Sequence, residues 1–283
     1  AAFPRTLELT GPREVLMEEI EELFMLVKKV AGNLSGLLRE HYGVSYFSEK
    51  IGYGVTGDIT RRIDLIAEDY AVEEFRTSGL NVWVVSEEKG LYRLVEEPEY
   101  IALIDPLDGS LNFSIGVPLA SVSIALFPRE GLKSACVPEK MVGIVENIFT
   151  GEWYGLAGRE VYVNGKPLPS YHYEPSGIAS VYFDSVEDLR NLNDVFRNRG
   201  WQLKLRVFGS ASLESAYASV GKIEYFISLT RKLRNTDIAV GYAIAERLGA
   251  SISGDAIPSS IFSDSVTTVG RVVISPPNKK LMI

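Results

Sequence analysis

Scattered acidic side chains, several of them at the ends of apolar runs or at the start of a helical pattern, have the clearest chemical potential in this sequence. They are Asp58, Asp64, Glu87, Glu88, Asp105, Asp108 and Asp237. Strand ends and helix starts are rigid, so carboxylates at these places can converge on one point. Mg²⁺ prefers hard oxygen ligands in a near-octahedral arrangement that includes water and phosphate oxygens. The sequence therefore predicts a magnesium site built from several of these carboxylates.

The segment 105–110, DPLDGS, is the most distinctive of these features. Pro106 has a fixed φ and suits a tight turn. Such a turn would bring Asp105 and Asp108 to one side, with the Leu107 carbonyl available between them. Asp105 could then bridge two metal ions.

The end of this segment could bind an anion, because Gly109 lets the backbone approach a ligand closely. The amides of Gly109 and Ser110 would open a short helical turn, which attracts negative charge. Each feature alone also has an ordinary structural explanation. Helix capping explains Asp237 alone, and a solvated loop and helix face explain Asp58 and Asp64 alone.

The composition limits the possible classes of protein. The chain has 283 residues, 46% of them hydrophobic, and a formal net charge of −8. A negative surface argues against binding to nucleic acid or to acidic membranes. The single cysteine, Cys136, excludes an intramolecular disulfide, and no apolar run approaches the roughly 20 residues that cross a bilayer. We therefore expect a soluble cytoplasmic protein without nucleic-acid or membrane partners, in which divalent cations would offset the charge of an anionic substrate.

Helical and strand patterns alternate along the chain. Apolar periodicity predicts helices over about 12–41, from about 61, and over 186–199, 212–220 and 237–248. Short β-branched and aromatic runs predict strands at 80–86, 100–104, 119–127, 141–149, 178–183, 203–207 and 223–228. The Gly-rich segment 52–58 is typical of a mobile loop, and Asn164-Gly165 of a hairpin turn. The pattern restarts near residue 175, which predicts two closely packed halves, 1–174 and 175–283, with a site between them.

Taken together, these segments resemble the inositol monophosphatase and fructose-1,6-bisphosphatase superfamily, with most similarity to archaeal members of dual activity. Residues 105–113, DPLDGSLNF, resemble its first signature, and 236–241, TDIAVG, its second. Residues 86–88 and 58–64 match the elements that the family carries upstream. The resemblance implies the carbohydrate phosphatase fold, an α/β layered sandwich of order α-β-α-β-α with two fused halves. Most metal ligands would lie in the first half and the substrate-side residues in the second.

The resemblance also implies roles for individual residues in a Mg²⁺-dependent phosphomonoesterase with two or three ions, for which Mn²⁺ could substitute. The implied metal ligands are Asp58, Glu87, Asp105, the Leu107 carbonyl, Asp108 and Asp237. Thr60 and Asp64 would orient the attacking water, and Glu87 and Ser110 would also take part in catalysis. The implied substrate-binding residues are Asp108, Gly109, Ser110, Arg206, Ser210, Arg231 and Arg234. One ion would lower the pKa of the water and another would stabilise the leaving alkoxide.

The residues that would select the substrate are less specific. Inositol-specific animal relatives carry Glu seven positions before the last metal ligand, where this chain has Thr230, and Thr236 replaces the usual aromatic residue. Arg231, Lys232 and Arg234 crowd the same stretch. These cations could meet a second phosphate, and a solvated surface loop explains them equally well.

We therefore expect an enzyme that hydrolyses fructose 1,6-bisphosphate to fructose 6-phosphate and also inositol 1-phosphate. The alternatives are a dedicated inositol-1-monophosphatase, a nucleotide 3′-phosphatase, and a non-catalytic regulator that binds metal or phosphate. The resemblance further implies a homodimer or homotetramer and inhibition by millimolar lithium.

Overall fold

A computed structural model describes residues 12–55, 57 and 59–282 of the chain. The helices are α1 (Pro12–His41), α2 (Arg62–Thr77), α3 (Ser110–Ile115), α4 (Val186–Asn198), α5 (Ala211–Ser219), α6 (Asn235–Leu248) and α7 (Pro258–Ile261). The strands are β1 (Lys50–Tyr53), β2 (Ile59–Arg61), β3 (Val82–Ser86), β4 (Gly90–Arg93), β5 (Tyr100–Asp108), β6 (Ser121–Pro128), β7 (Val142–Asn147), β8 (Trp153–Ala157), β9 (Glu160–Val163), β10 (Lys166–Pro167), β11 (Ile178–Tyr182), β12 (Lys204–Arg206), β13 (Tyr225–Ser228), β14 (Ser251–Gly254) and β15 (Val272–Ser275). Two short 3-10 helices cover Ser45–Ser48 and Arg129–Gly131.

Eight strands form the larger sheet, in the order β10-β9-β8-β7-β6-β5-β3-β4. Neighbouring strands are antiparallel except β3 and β5, which are parallel and pair Ser86 with Ile104. Because these two strands run in the same direction, the next residues along each, Glu87 and Asp105, lie side by side. The pairing thus places two predicted metal ligands together.

Helices cover both faces of the larger sheet. On β5, Ala102 and Ile104 belong to one core with apolar residues of α1 and α2. Ile101 and Leu103 point to the other face and share a core with α5 and α6. Side chains alternate along a strand, so a strand buried on both faces has a continuous apolar sequence.

The smaller sheet has five strands in the order β12-β11-β13-β15-β14. Strand β11 is parallel to both neighbours, whereas β13, β15 and β14 pair antiparallel. Phe226 and Ile274 face α5 and α6, while Tyr225, Ile227 and Val273 face α4 on the outside. Helices α1 and α2, the larger sheet, α5 and α6, the smaller sheet and α4 therefore stack in sequence. This confirms the predicted α-β-α-β-α order.

The Gly-rich segment 52–58 is only partly the predicted loop. Its first residues belong to β1, which forms an antiparallel hairpin with β2, so that Tyr53 pairs with Ile59. Thr56 and the predicted metal ligand Asp58 lie outside the described residues.

The segment 105–108 is the end of a strand, and the predicted tight turn at Pro106 is wrong. Asp105 pairs with Ser123 of β6 and Asp108 pairs with Ser121, so the register shifts by one residue between them. Proline lacks a backbone N–H and is tolerated at such a bulge. The bulge offsets the alternation that would otherwise turn Asp105 and Asp108 to opposite faces.

Strands β4, β8, β14 and β15 and helix α7 are not among the predicted elements. β4 and β14 are short edge strands that pair on one side only, so sequence periodicity alone gives them little signal. The division into halves 1–174 and 175–283 stays a prediction. Strands β3 to β10 precede that boundary, and β11 to β15 follow it. No helix within the described ranges is both long enough and apolar enough to span a membrane.

Candidate active site

Three predicted metal ligands form a compact group, which we call the acidic cluster: Glu87, Asp105 and Asp237. Glu87 follows β3, Asp105 lies in the neighbouring strand β5, and Asp237 is in the first turn of α6. Oxygen atoms of the three carboxylates lie within 4.8 Å of one another. Asp237 also accepts a hydrogen bond of 2.9 Å from the Arg234 amide, so it caps α6 as well.

Asp108 connects strand β5 of the larger sheet to the start of α5. Its carboxylate accepts hydrogen bonds from Ser210 Oγ at 2.7 Å, the Ser212 amide at 2.7 Å and the Ala211 amide at 3.2 Å. The positive end of a helix dipole and its unpaired amides favour an anion at this place. Both oxygens of Asp108 therefore have protein donors, in contrast to Asp105.

Two buried carboxylate oxygens have no hydrogen-bond partner among the described residues. They are Asp105 Oδ2 and Asp64 Oδ1. The second oxygen of Asp64 accepts a hydrogen bond of 2.6 Å from the Arg61 amide, and the Thr60 hydroxyl donates to Glu88. A buried acceptor without a donor is costly. Such oxygens suit a site that takes up a cation or an ordered water.

Gly109 occupies a position that admits no side chain. It has a φ of 93°, and an added Cβ would lie 2.9 Å from the Gly209 carbonyl oxygen. Ser110 begins α3 directly after it. The phosphate-binding roles expected of Gly109 and Ser110 stay predictions.

Burial dominates the electrostatics of the site. It raises the pKa of Glu87 to about 8, with further contributions from the charges of Asp237, Glu88 and Asp64 and an opposing one from Arg234. Burial likewise raises the pKa of Asp64 to about 7 and that of Asp108 to about 6, and it raises the pKa of Asp105 well above its usual value. Crowded carboxylates of this kind are relieved by divalent cations.

Comparison with known proteins identifies the family of this chain. The model of the inositol monophosphatase family matches residues 19–276. The chain belongs to the inositol monophosphatase family. An inositol-1-monophosphatase from Aeropyrum pernix is 33% identical over 265 residues, which cover 92% of this chain and 94% of that protein. A fructose-1,6-bisphosphatase/inositol-1-monophosphatase from Methanocaldococcus jannaschii is 28% identical over 230 residues, covering 81% and 84%.

A solved structure extends the likeness to three dimensions. The crystal structure of an inositol monophosphatase-fructose 1,6 bisphosphatase superposes with a TM-score of 0.72 at 26% identity, covering 92% of this chain and 94% of that one. The chain is thus a phosphatase of a family that is generally metal-dependent. The acidic cluster and the partnerless oxygen of Asp105 fit a metal ion.

Arg234 lies inside the site of this phosphatase. Its guanidinium forms an ion pair with Glu87 and lies 3.3 Å from Asp237 Oδ1, and only 14% of its side chain is exposed. The sequence placed Arg234 on the substrate side. The structure places its charge against two members of the acidic cluster.

The other predicted residues take up varied positions. Arg206 and Arg231 are exposed, and among the described residues neither contacts the acidic cluster. Ser210 is completely buried and hydrogen-bonds Asp108, which makes it a positioning residue in this structure. The Leu107 amide donates to Asp105 Oδ1 at 3.1 Å.

A buried glutamate on α2, Glu68, was not predicted from the sequence. It lies one turn after Asp64 and accepts hydrogen bonds from the Glu88 amide at 2.9 Å and the Tyr92 hydroxyl at 2.6 Å. These bonds fix the backbone that follows Glu87. One sequence feature could have indicated that Glu68 is buried: it lies on the helix face that also carries the buried Ala71 and Phe75.

Glu214 on α5 is a second buried glutamate that was not predicted from the sequence and that binds backbone amides. It is completely buried and accepts hydrogen bonds from the Gly209 amide at 2.9 Å and the Ser210 amide at 3.0 Å, as well as from the hydroxyls of Ser180 and Tyr182. It therefore fixes the loop whose next residues bind Asp108.

Proposed function

We propose that this phosphatase hydrolyses fructose 1,6-bisphosphate to fructose 6-phosphate and also accepts inositol 1-phosphate, using Mg²⁺ held by the acidic cluster. The observation that carries the proposal is the cluster itself. One oxygen from each of its three carboxylates lies within 4.8 Å of the others, and Asp105 offers a buried oxygen without a donor among the described residues. Such a site binds a hard cation, and a phosphate monoester is a substrate that needs one.

The residues that would hold Mg²⁺ are Glu87, Asp105, the Leu107 carbonyl, Asp108, Asp237 and, beyond the described residues, Asp58. When bound, the metal would lower the pKa of water and neutralise charge on the phosphate and the leaving oxygen. Mn²⁺ takes similar ligands and could substitute.

Protein groups around the cluster would position the reactants. Asp64 Oδ1 is buried and has no hydrogen-bond partner among the described residues, so it can accept a hydrogen bond from a water in the site. Thr60, whose hydroxyl donates to Glu88, lies in strand β2 of the β1–β2 hairpin. Gly109 and Ser110 would receive the phosphate at the start of α3. Little covalent work remains, because phosphoryl transfer depends mainly on positioning and charge.

Two features support the bisphosphate as a substrate. The relative from M. jannaschii is named for both activities. Arg206 and Arg231 are exposed cations of the second half, which could contact a second phosphate. A dedicated inositol-1-monophosphatase is the second candidate, because the A. pernix relative carries that name and matches 92% of the chain.

The decisive experiment measures phosphate release by the full chain with Mg²⁺ from fructose 1,6-bisphosphate, inositol 1-phosphate and a nucleotide 3′-phosphate. We expect release from the first two and none in excess chelator. Asp105→Asn should lower turnover by roughly 1,000-fold, since an amide nitrogen cannot replace the carboxylate oxygen. Release that is independent of divalent cations, or undiminished in Asp105→Asn, would contradict the proposal. Inositol 1-phosphate as the sole substrate would favour the second candidate.

A further inference from the structure

Arg61 brings a buried positive charge to the site from an element that carries none of the described metal ligands. It ends β2 and stands directly before α2. Its amide binds Asp64, while its guanidinium Nη1 lies 3.4 Å from Ser110 Oγ at the start of α3. Arg61 is 7% exposed as a whole residue, which makes it one of the buried charged residues of the protein.

This guanidinium has few protein partners for a buried cation. Within the described ranges no carboxylate comes within ion-pair distance of it, and Ser110 Oγ is its one hydrogen-bond partner. A guanidinium has five N–H donors, and burying a charge without pairing is costly. Most of its donors are therefore available to a ligand.

The neighbouring Arg62 shows the ordinary arrangement. Its guanidinium pairs with Glu49 at 3.1 Å and lies over the Tyr46 ring at 4.2 Å from the ring centre. The Arg62 guanidinium thus has an ion pair and a ring contact, although its Nε is buried without a hydrogen-bond partner among the described residues, whereas Arg61 has neither an ion pair nor a ring contact among those residues. Arg62 can therefore serve as the control for substitutions of Arg61.

We propose that Arg61 is a catalytic residue that binds oxygens of the substrate's phosphate, together with Ser110. The inference rests on the proposed phosphatase reaction. A guanidinium fork matches two phosphate oxygens, and charge-assisted hydrogen bonds of this kind are strong. Because Ser110 Oγ lies 3.4 Å from Arg61, an oxygen bound at Ser110 is within reach of both groups. The phosphate is charged before and during the transfer, so Arg61 acts on both binding and turnover.

The competing explanation makes Arg61 only a counter-charge for Asp64. Lysine would serve that purpose as well as arginine, because it keeps the charge and loses only the planar fork. A counter-charge would also influence metal binding more than phosphate binding. Affinity for inorganic phosphate and affinity for Mg²⁺ therefore separate the two roles.

The test uses the full chain with Arg61→Gln, Arg61→Lys and, as a control, Arg62→Gln. Calorimetry measures binding of Mg²⁺ alone and of inorganic phosphate in saturating Mg²⁺, and kinetics give KM and kcat. We expect Arg61→Gln to weaken phosphate binding at least about tenfold and kcat/KM about 100-fold, with Mg²⁺ affinity unchanged. Arg61→Lys should recover only part of the loss, and Arg62→Gln should match the unsubstituted protein.

Equal phosphate affinity in Arg61→Gln and the unsubstituted protein would overturn the inference. So would full recovery by lysine together with loss of Mg²⁺ affinity in the glutamine variant. Absence of any turnover by the unsubstituted chain would instead reject the proposed function, so the two failures are distinguishable.

Discussion

At the scale of single residues, Asp105 and Asp108 do different work although they belong to one motif. Asp105 is buried, belongs to the acidic cluster and has one oxygen without a hydrogen-bond partner among the described residues. Asp108 has donors on both oxygens, and all of these donors except Ser121 Oγ come from residues about a hundred positions later in the chain. Asp108 is therefore a predicted metal ligand and also a structural link between β5 and α5.

Asp108→Asn should lower turnover and also destabilise the fold. An amide cannot accept on both sides, so at least one hydrogen bond from the start of α5 is lost. We expect the free energy of unfolding in urea to fall by about 1–3 kcal/mol. Ser210→Ala is the matched variant, because it removes one donor to Asp108 and leaves the carboxylate. It should cost about 1 kcal/mol and reduce turnover less than tenfold. Unchanged stability in both variants would argue against the structural link.

At the scale of elements, the site depends on helices that hold strands and loops in register. Glu68 on α2 fixes the backbone after Glu87, and Glu214 on α5 fixes the loop before Ser210. Each is a buried carboxylate whose partners include backbone amides. Each therefore stabilises the geometry of a predicted site residue without standing in the acidic cluster.

Glu68→Ala should damage both stability and turnover. It leaves the Glu88 amide and the Tyr92 hydroxyl without their acceptor in a partly buried place, and it opens a cavity. We expect a loss of about 2–4 kcal/mol in chemical unfolding and a fall in kcat that Glu68→Gln partly restores, because glutamine keeps one acceptor oxygen. Glu73→Gln on the same helix, where Glu73 forms an exposed pair with Arg76, is the control and should change neither quantity. A normal kcat in Glu68→Ala would show that Glu87 does not depend on this support.

Much of the fold was predictable at this scale, since periodicity is a local property. Helix α1 has the predicted bounds Pro12–His41, and β5 and β11 begin where their apolar runs begin. The bulge at Pro106 was not predictable, because pairing with β6 decides it. The same holds for the partners of Asp108 and the ion pairs of Arg234, which join segments distant in sequence. The sequence was sufficient to identify the acidic residues as candidate metal ligands. It was not sufficient to predict their hydrogen-bond partners.

At the scale of the whole molecule, the larger sheet and helix α6 meet at a point of concentrated negative charge. The larger sheet contributes Glu87 and Asp105, and Asp237 reaches the same place on α6. Folding brings these like charges together, so their repulsion opposes folding. Bound cations offset that repulsion. Stability, metal binding and pH are therefore linked in this protein.

The metal-free protein should lose stability as the pH rises. The folded-state pKa is about 8 for Glu87 and about 7 for Asp64, above the ordinary values of 4.5 and 3.8. The folded chain thus holds more protons than the unfolded chain between about pH 4 and pH 8, so the free energy of unfolding falls through that window. Thermal unfolding in chelator should show a lower Tm at pH 8 than at pH 5. Added Mg²⁺ should raise Tm more at pH 8, and a Tm gain that is independent of pH would contradict this linkage.

The contact between Gly109 and Gly209 limits which sequences can keep this fold. A Cβ on Gly109 would meet the Gly209 carbonyl oxygen at 2.9 Å, and one on Gly209 would meet the Asn112 amide nitrogen at 2.7 Å. Asn112 cannot give way easily, because its amide donates to the carbonyls of Phe208 and Leu119. Both glycines also have positive φ. In a library of all single substitutions, these two positions should accept no other amino acid in active clones, although neither contributes a reactive side chain.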